Sequence, residues 1–309
     1  MARLEIGIAL NSLRSLADPA TLDWADLHDL ALRCETVGFD TVWFPDGLIW
    51  RLEPGGPIVG GWEAIAVLAG LAASTSRIKI GSYVLASVFR EPGMVAKQAA
   101  TIDAISGGRF VLGFGAGEAG TASQAFGFPH DHAYERFEDA LAILIPLLRS
   151  GRADFEGDYR QARDLPQVPA GPRPGRIPIM LAAHGPRGYR HAARQADIWS
   201  CYQLTTGDTA EFAPRVEALE AACIEVGRDP TTIGRSAGIV VAPLAAPHEE
   251  VSTPYGRATS GPAERIADAV RALREVGYSQ VELMVEPITP AALDALAPVV
   301  AMLRADEPR

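Results

Sequence analysis

The sequence has almost no lysine. Of its 28 basic residues only Lys79 and Lys97 are lysines, and 38 acids leave a net charge of −10. That shortage of positive charge disfavours nucleic acids and anionic membranes as partners, because both are held by clustered cations. Cysteine is scarce as well. Cys34, Cys201 and Cys223 are odd in number and share no short spacing, which supports neither a disulfide framework nor a zinc site; Cys34 and Cys223 fall on apolar helix faces and read as packing residues. No apolar run reaches membrane-spanning length. Met1 to Leu10 reads as a strand, without a basic segment and cleavage site, so no signal peptide is expected and the expected location is the cytoplasm. His130 and His132 have no carboxylate cluster beside them and read as capping or surface groups, so no metal is expected.

What remains is the composition of a folded protein, 48% hydrophobic and 21% charged. At 309 residues, with no linker dividing it, the chain fits one domain over 1–309 with a large core. Strand candidates recur at Leu4–Leu10, Thr41–Pro45, Ile78–Leu85, Phe110–Phe114, Ile177–Ala183, Ile198–Tyr202, Ile233–Val241 and Gln280–Val285. Helical patterns separate them. Leu27, Leu30, Ala31, Cys34 and Val37 share one face and Gly38 ends that helix; Gly261-Pro262 opens another, with proline in its first turn, and Gly277 stops it. Val37-Gly38-Phe39-Asp40-Thr41-Val42 is echoed by Val276-Gly277-Tyr278-Ser279-Gln280-Val281, the same helix end, cap and strand start used twice. Eight strands alternating with helices predict a (β/α)8 TIM barrel, with a doubly wound sheet as the rival. Two surpluses are expected as insertions: 150–176 after the fourth helix, with a small hairpin at 154–159, and 245–260 after the seventh strand.

The most informative stretch is Thr101 to Gly120, TIDAISGGRFVLGFGAGEAG. A helix ends at Ser106-Gly107-Gly108, Arg109 opens an apolar strand, and Gly115-Ala116-Gly117-Glu118 closes it with two glycines and an acid where barrels carry chemistry. Gly115, Gly117 and Gly120 also satisfy the dinucleotide-binding spacing. That pattern needs a helix opening at the third glycine and an acid ending the next strand. Here Thr121 to Pro129 contains Gly127 and Pro129 and reads as a loop, while Glu138 and Asp139 fall in a predicted helix, which argues against a Rossmann unit.

TIDAISGGRFVLGFGAGE, Ile179-Met180-Leu181-Ala182-Ala183-His184-Gly185-Pro186-Arg187-Gly188, Ala192-Ala193-Arg194-Gln195-Ala196-Asp197 and Gly261-Pro262-Ala263-Glu264-Arg265-Ile266 together resemble the bacterial luciferase-like superfamily, in the right order over nearly the whole chain. The resemblance implies a (β/α)8 barrel holding a flat flavin or deazaflavin at the C-terminal ends of its strands. Ala182-Ala183-His184-Gly185-Pro186 is closest to the branch using the deazaflavin coenzyme F420, which includes methylenetetrahydromethanopterin reductase and a sugar-phosphate dehydrogenase. The implied function is an F420-dependent oxidoreductase transferring a hydride to or from a small-molecule C=N, C=C or carbonyl/alcohol group. An FMN-dependent monooxygenase using reduced flavin and oxygen is the alternative, and a non-catalytic flavin-binding protein the third reading. A homodimer is also implied.

Carried onto this chain, the resemblance places a bulge with a non-prolyl cis peptide at Tyr83-Val84, within Gly81 to Ser87, so that Tyr83, Val84 and Ala86 back the ring; an ordinary buried strand is the other reading. Asp46 matches an acidic position that contacts the deazaflavin, and Gly117-Glu118 should face the cofactor's edge. The sugar-phosphate dehydrogenases follow the acid with histidine, where this chain has Gly47, and no late lysine is present to bind a sugar phosphate. Ala183, His184, Gly185, Pro186 and Arg187 form a helix start with an arginine, suited to the cofactor phosphate or else a surface turn. Asp46, Glu118 and His184 are the candidate proton-transfer residues. Asn11 and Trp50 are assigned to the substrate side.

Overall fold

Apolar runs flanked by turn residues become short parallel strands buried on both faces, because each lies between side chains of the interior and the helices that cover it. The structure is a computed structural model and describes residues 3–16, 19–117, 120–129, 131–205, 208–246, 249–254 and 256–307. In chain order the sheet strands are β1 (Glu5–Ala9), β2 (Thr41–Phe44), β3 (Lys79–Ser82, resuming at Leu85–Ala86), β4 (Phe110–Gly115), β5 (Ile179–Ala182), β6 (Ile198–Thr205), β7 (Gly234–Ala242) and β8 (Gln280–Val285). Between and after them run α1 (Trp24–Val37), α2 (Ala64–Ser74), α3 (Pro92–Ile105), α4 (Ala133–Ser150), α5 (Gly185–Gln195), α6 (Thr209–Glu225), α7 (Ala263–Glu275) and α8 (Ala297–Ala305). The strands join in the order β5-β6-β7-β8-β1-β2-β3-β4, and β4 pairs back to β5. That closed parallel sheet is the (β/α)8 barrel, and it excludes the doubly wound alternative, which would leave two open edges.

The chain divides into two compact units, Met1–Trp43 with Ala183–Arg309, and Phe44–Ala182. In the first, β1 pairs in parallel with β8 (Glu5 opposite Gln280, Gly7 opposite Glu282) and with β2 (Gly7 opposite Thr41). The α1 stripe of Leu27, Leu30, Ala31 and Cys34 is buried, and Gly38 caps the helix at φ 99° with its N–H on the Cys34 carbonyl. In the second unit β4 is central. It pairs with β3 through Gly81 opposite Val111, then with the resumed strand through Leu85 opposite Phe114. Four residues on one side span three on the other, which is a bulge. Arg109 donates to the carbonyls of Ala72, Thr75 and Ser106 at 2.8–2.9 Å, tying the ends of α2 and α3 to the start of β4.

Both insertions fall where expected. Arg152–Glu156 pairs with Gln161–Pro166 as a hairpin, and the loop behind it is held by Arg173, which donates to the fully buried Asp103 and to the Phe110 carbonyl. After β7, Ser252–Thr253 and Gly256–Arg257 make a second small hairpin. Several readings need correction. Thr121 to Phe126 is a short helix rather than loop, opening at Gly120; Gly127, taken as a breaker, is its left-handed cap at φ 72°. Glu138 and Asp139 lie within α4, so the dinucleotide pattern still fails. Pro262 is the N-cap of α7 and stands just before its first turn. Ile49–Arg51 and Ile58–Gly60 form an unforeseen hairpin after β2, although Pro54-Gly55-Gly56-Pro57 between apolar pairs was a legible turn signal.

Candidate functional site

In the second unit, two strand ends and a helix start meet around one carboxylate. Asp46 follows β2, and its side chain is almost wholly buried. It accepts the Ala86 N–H at 2.8 Å and both terminal nitrogens of Arg90, one of them at 2.8 Å. Arg90 reaches on to Glu63, whose other oxygen accepts the Ala66 N–H at 2.8 Å and so caps α2. Burial alone would raise the Glu63 carboxyl, but the Arg90 bond and the helix N–H groups outweigh it and hold it below the usual carboxylate range. Burial likewise opposes the Arg90 charge, and the two carboxylates more than restore it. The result is a clamp of one cation between two carboxylates, linking the end of β2, the bulge and the start of α2.

The bulge itself is pinned across the sheet. Ser82 Oγ donates to the Gly113 carbonyl and accepts the Gly113 N–H, both at 2.8 Å, replacing ladder bonds that the extra residue interrupts. A Cβ on Gly113 would stand 2.0 Å from the Ser82 carbonyl oxygen, so only glycine fits beside this backbone. The Tyr83-Val84 peptide is cis, Tyr83 and Ala86 are buried, and Val84 is half-buried over Gly113 and Gly115. Gly117 has φ 82°, and a Cβ there would meet Val88 and Ala86 at 2.8 and 3.0 Å. Trp50 is half-buried on the hairpin after β2. Its ring covers Gly47, where an added Cβ would lie 3.1 Å from a ring carbon. Asp46, Tyr83, Val84, Ala86 and Gly117 are thus brought together. Glu118 lies outside the described residues, as does His130.

In the first unit, Ala183 is buried and its carbonyl accepts the Trp199 indole N–H at 2.9 Å. His184 is the N-cap of α5 and makes no side-chain capping bond; Gly185, at φ 69°, Pro186 and Arg187 are exposed in the first turn, which holds no acid. Helix N–H groups, the positive end of the dipole and an arginine therefore face the same solvent. Asn11 is half-buried just beyond β1 and accepts the Leu13 N–H at 3.3 Å. His132 is the N-cap of α4 and stacks with Tyr159. Among the described residues no group of three or more His, Cys, Asp or Glu could hold a metal, and no helix is long and apolar enough to cross a membrane.

Residues 4–253 match the family model described as luciferase-like monooxygenase. The chain belongs to that family. An F420-dependent glucose-6-phosphate dehydrogenase of Amycolatopsis mediterranei is 34% identical over 57% of this chain and 53% of its own length. A pyrimidine monooxygenase, RutA, of Cronobacter sakazakii is 34% identical over 54% of this chain and 50% of its own. These alignments span about half the length of the curated relatives. A solved F420-dependent secondary alcohol dehydrogenase, in complex with an F420-acetone adduct, superposes with a TM-score of 0.80 over 98% of this chain and 100% of that one, at 18% identity.

Two groups of consequence were missed in the sequence. Arg90 is the first: a lone arginine two residues before a helix proline is a candidate ion-pair former. Glu282, a single acid in the apolar run Gln280–Val285, is fully buried in the first unit; its Oε1 accepts the Ser236 hydroxyl at 3.2 Å. A carboxylate inside an apolar strand was the available signal.

Proposed function

We propose that the chain is a coenzyme F420-dependent oxidoreductase, passing a hydride between the deazaflavin and a C=N, C=C or carbonyl/alcohol group of a small molecule. The observation that carries this reading is the Asp46 clamp, which couples the acidic position after β2 to the backbone of the bulge through the Ala86 N–H. The F420-dependent relative supports it. The residues present fit such a group: glycines at 113, 115 and 117 make room for the bulge that carries Val84 and Ala86, and in the first unit the acid-free start of α5 with Arg187 suits a phosphate.

When bound, the coenzyme supplies or takes up the hydride, and the chain provides orientation, electrostatics and a proton. Asp46 accepts charge-assisted bonds on both oxygens and would lose them on protonation, so we assign it to positioning. Proton transfer to the substrate then falls to Glu118 or His184. Arg187 and the first-turn N–H groups of α5 would hold the phosphate, with Ala183, Gly185 and Pro186 shaping that turn. Asn11 and Trp50 bound the substrate side.

The second reading, an FMN-dependent monooxygenase, is favoured by the family model and by the RutA relatives. Both coenzymes offer a planar ring and a phosphate, so matched titrations of the purified chain with F420 and FMN decide between them. The expected result is tighter binding of F420. Tight FMN binding with none of F420 would overturn the cofactor assignment.

A further inference from the structure

Three segments of the second unit that follow strand C-terminal ends carry aromatic rings. Trp50 is on the hairpin after β2, Phe89 in the turn after β3, and Phe126 and Phe128 on and beyond the short helix after β4. The Phe89 and Phe128 rings lie 4.9 Å apart, Phe126 stacks on Phe128 at 5.7 Å, and the short helix packs against the Ile49–Arg51 strand. Phe126 is 55% exposed, so these rings present surface rather than core.

The cations beside this wall are committed elsewhere. Arg90 is neutralised by Asp46 and Glu63, Arg136 pairs with Asp131 and lies over the Tyr159 ring, and Arg160 pairs with Glu91. Arg51 donates to the Gly56 carbonyl and, by strand alternation, points to the opposite face from Trp50. Within the wall itself the Trp50 indole N–H is shielded and makes no hydrogen bond among the described residues.

We infer that this wall selects an uncharged substrate with an aromatic or aliphatic body and one hydrogen-bond acceptor, and that it rejects phosphorylated sugars. The inference rests on the oxidoreductase reading above, which leaves the substrate open. A phosphate brought against these rings would lose hydration and gain no uncommitted cation among the described residues, whereas an apolar body gains by leaving water. The shielded indole N–H would regain a partner from a carbonyl, hydroxyl or ether oxygen.

The test uses the purified full chain, with and without whichever of F420 and FMN it binds. Benzylacetone, toluene and glucose 6-phosphate are the probes, followed by calorimetry and ligand-observed NMR. Benzylacetone should bind at least about tenfold more tightly than glucose 6-phosphate. Phe126→Ser, at an exposed position, should weaken benzylacetone about fivefold and change cofactor affinity less than about twofold. Trp50→Phe should cost benzylacetone roughly fivefold and leave toluene within about twofold, because only the ketone uses the N–H. Equal or tighter binding of glucose 6-phosphate overturns the inference. So does a Phe126→Ser variant that sediments as a smaller species with benzylacetone affinity unchanged, since the wall would then be a subunit contact. If neither coenzyme binds while benzylacetone does, the cofactor reading falls and the substrate class stands; if a coenzyme binds and benzylacetone does not, the substrate class falls alone.

Discussion

Glu282 is a buried carboxyl with no cation paired to it among the described residues. It is 1% exposed; Oε1 accepts one long bond from Ser236, and Oε2 makes none of standard geometry, with the Trp43 indole giving weak support on that side. Oε2 lies against the backbone of β1, where a Cβ on Gly7 would come within 2.0 Å of it. Burial pushes the carboxyl up to about 8 from an ordinary 4.5, against the opposing pull of the Ser236 and Trp43 bonds and with smaller help from the nearby charges of Glu5 and Asp40. At about 1.4 kcal/mol per pH unit, that gap corresponds to roughly 5 kcal/mol. The sign follows from proton counting. Between pH 4.5 and 8 the folded chain keeps a proton that the unfolded chain has released, so this group's contribution to stability falls as pH rises through that window and levels off above it. Glu282→Gln replaces the carboxyl by a neutral group of the same shape. Relative to wild type, the variant should gain about 2–5 kcal/mol between pH 5 and pH 9. Urea unfolding followed by tryptophan fluorescence at both pH values measures that difference, and any fixed packing cost of the amide cancels in it. Parallel pH profiles for the two proteins would refute the reasoning.

Asp46→Asn should weaken coenzyme binding at least about tenfold and destabilise the fold by about 3 kcal/mol, because it leaves Arg90 buried and half-paired; titration and denaturation together check it. Gly113→Ala must displace the Ser82 carbonyl and should cost more than about 3 kcal/mol by urea denaturation. Arg187→Ala should weaken phosphorylated coenzyme more than its dephosphorylated core; equal losses would count against the phosphate role. Glu118→Gln should lower coenzyme affinity or turnover, and wild-type values for both would remove this acid from the site.

How much of this was legible depends on whether a feature is local or assembled. The barrel was readable because each strand–helix unit repeats its own punctuation: the Leu27-to-Val37 stripe and Gly38 cap form α1 as expected, and Ser106-Gly107-Gly108 turns α3 into β4. Short elements escaped where tertiary contact supplies what local pattern lacks. The Ile49–Arg51 strand is three residues long and has no buried residue, and the short helix at Thr121 stands just before a glycine that reads equally as a breaker or a cap. At the site, residue types were visible but partners were not. Asp46 and Arg90 are 44 positions apart, Ser82 and Gly113 31, and Ser236 and Glu282 46. No periodicity encodes such pairs; they arise because parallel strands bring residues of distant segments into register. This separation bears on the chemistry, since an isolated Asp46 reads as a proton donor, whereas one held by Arg90 and Ala86 has both oxygens occupied as acceptors. The distinction between an acid that moves protons and one that holds backbone belongs to the fold, and it shifts the search for the proton donor to Glu118 and His184.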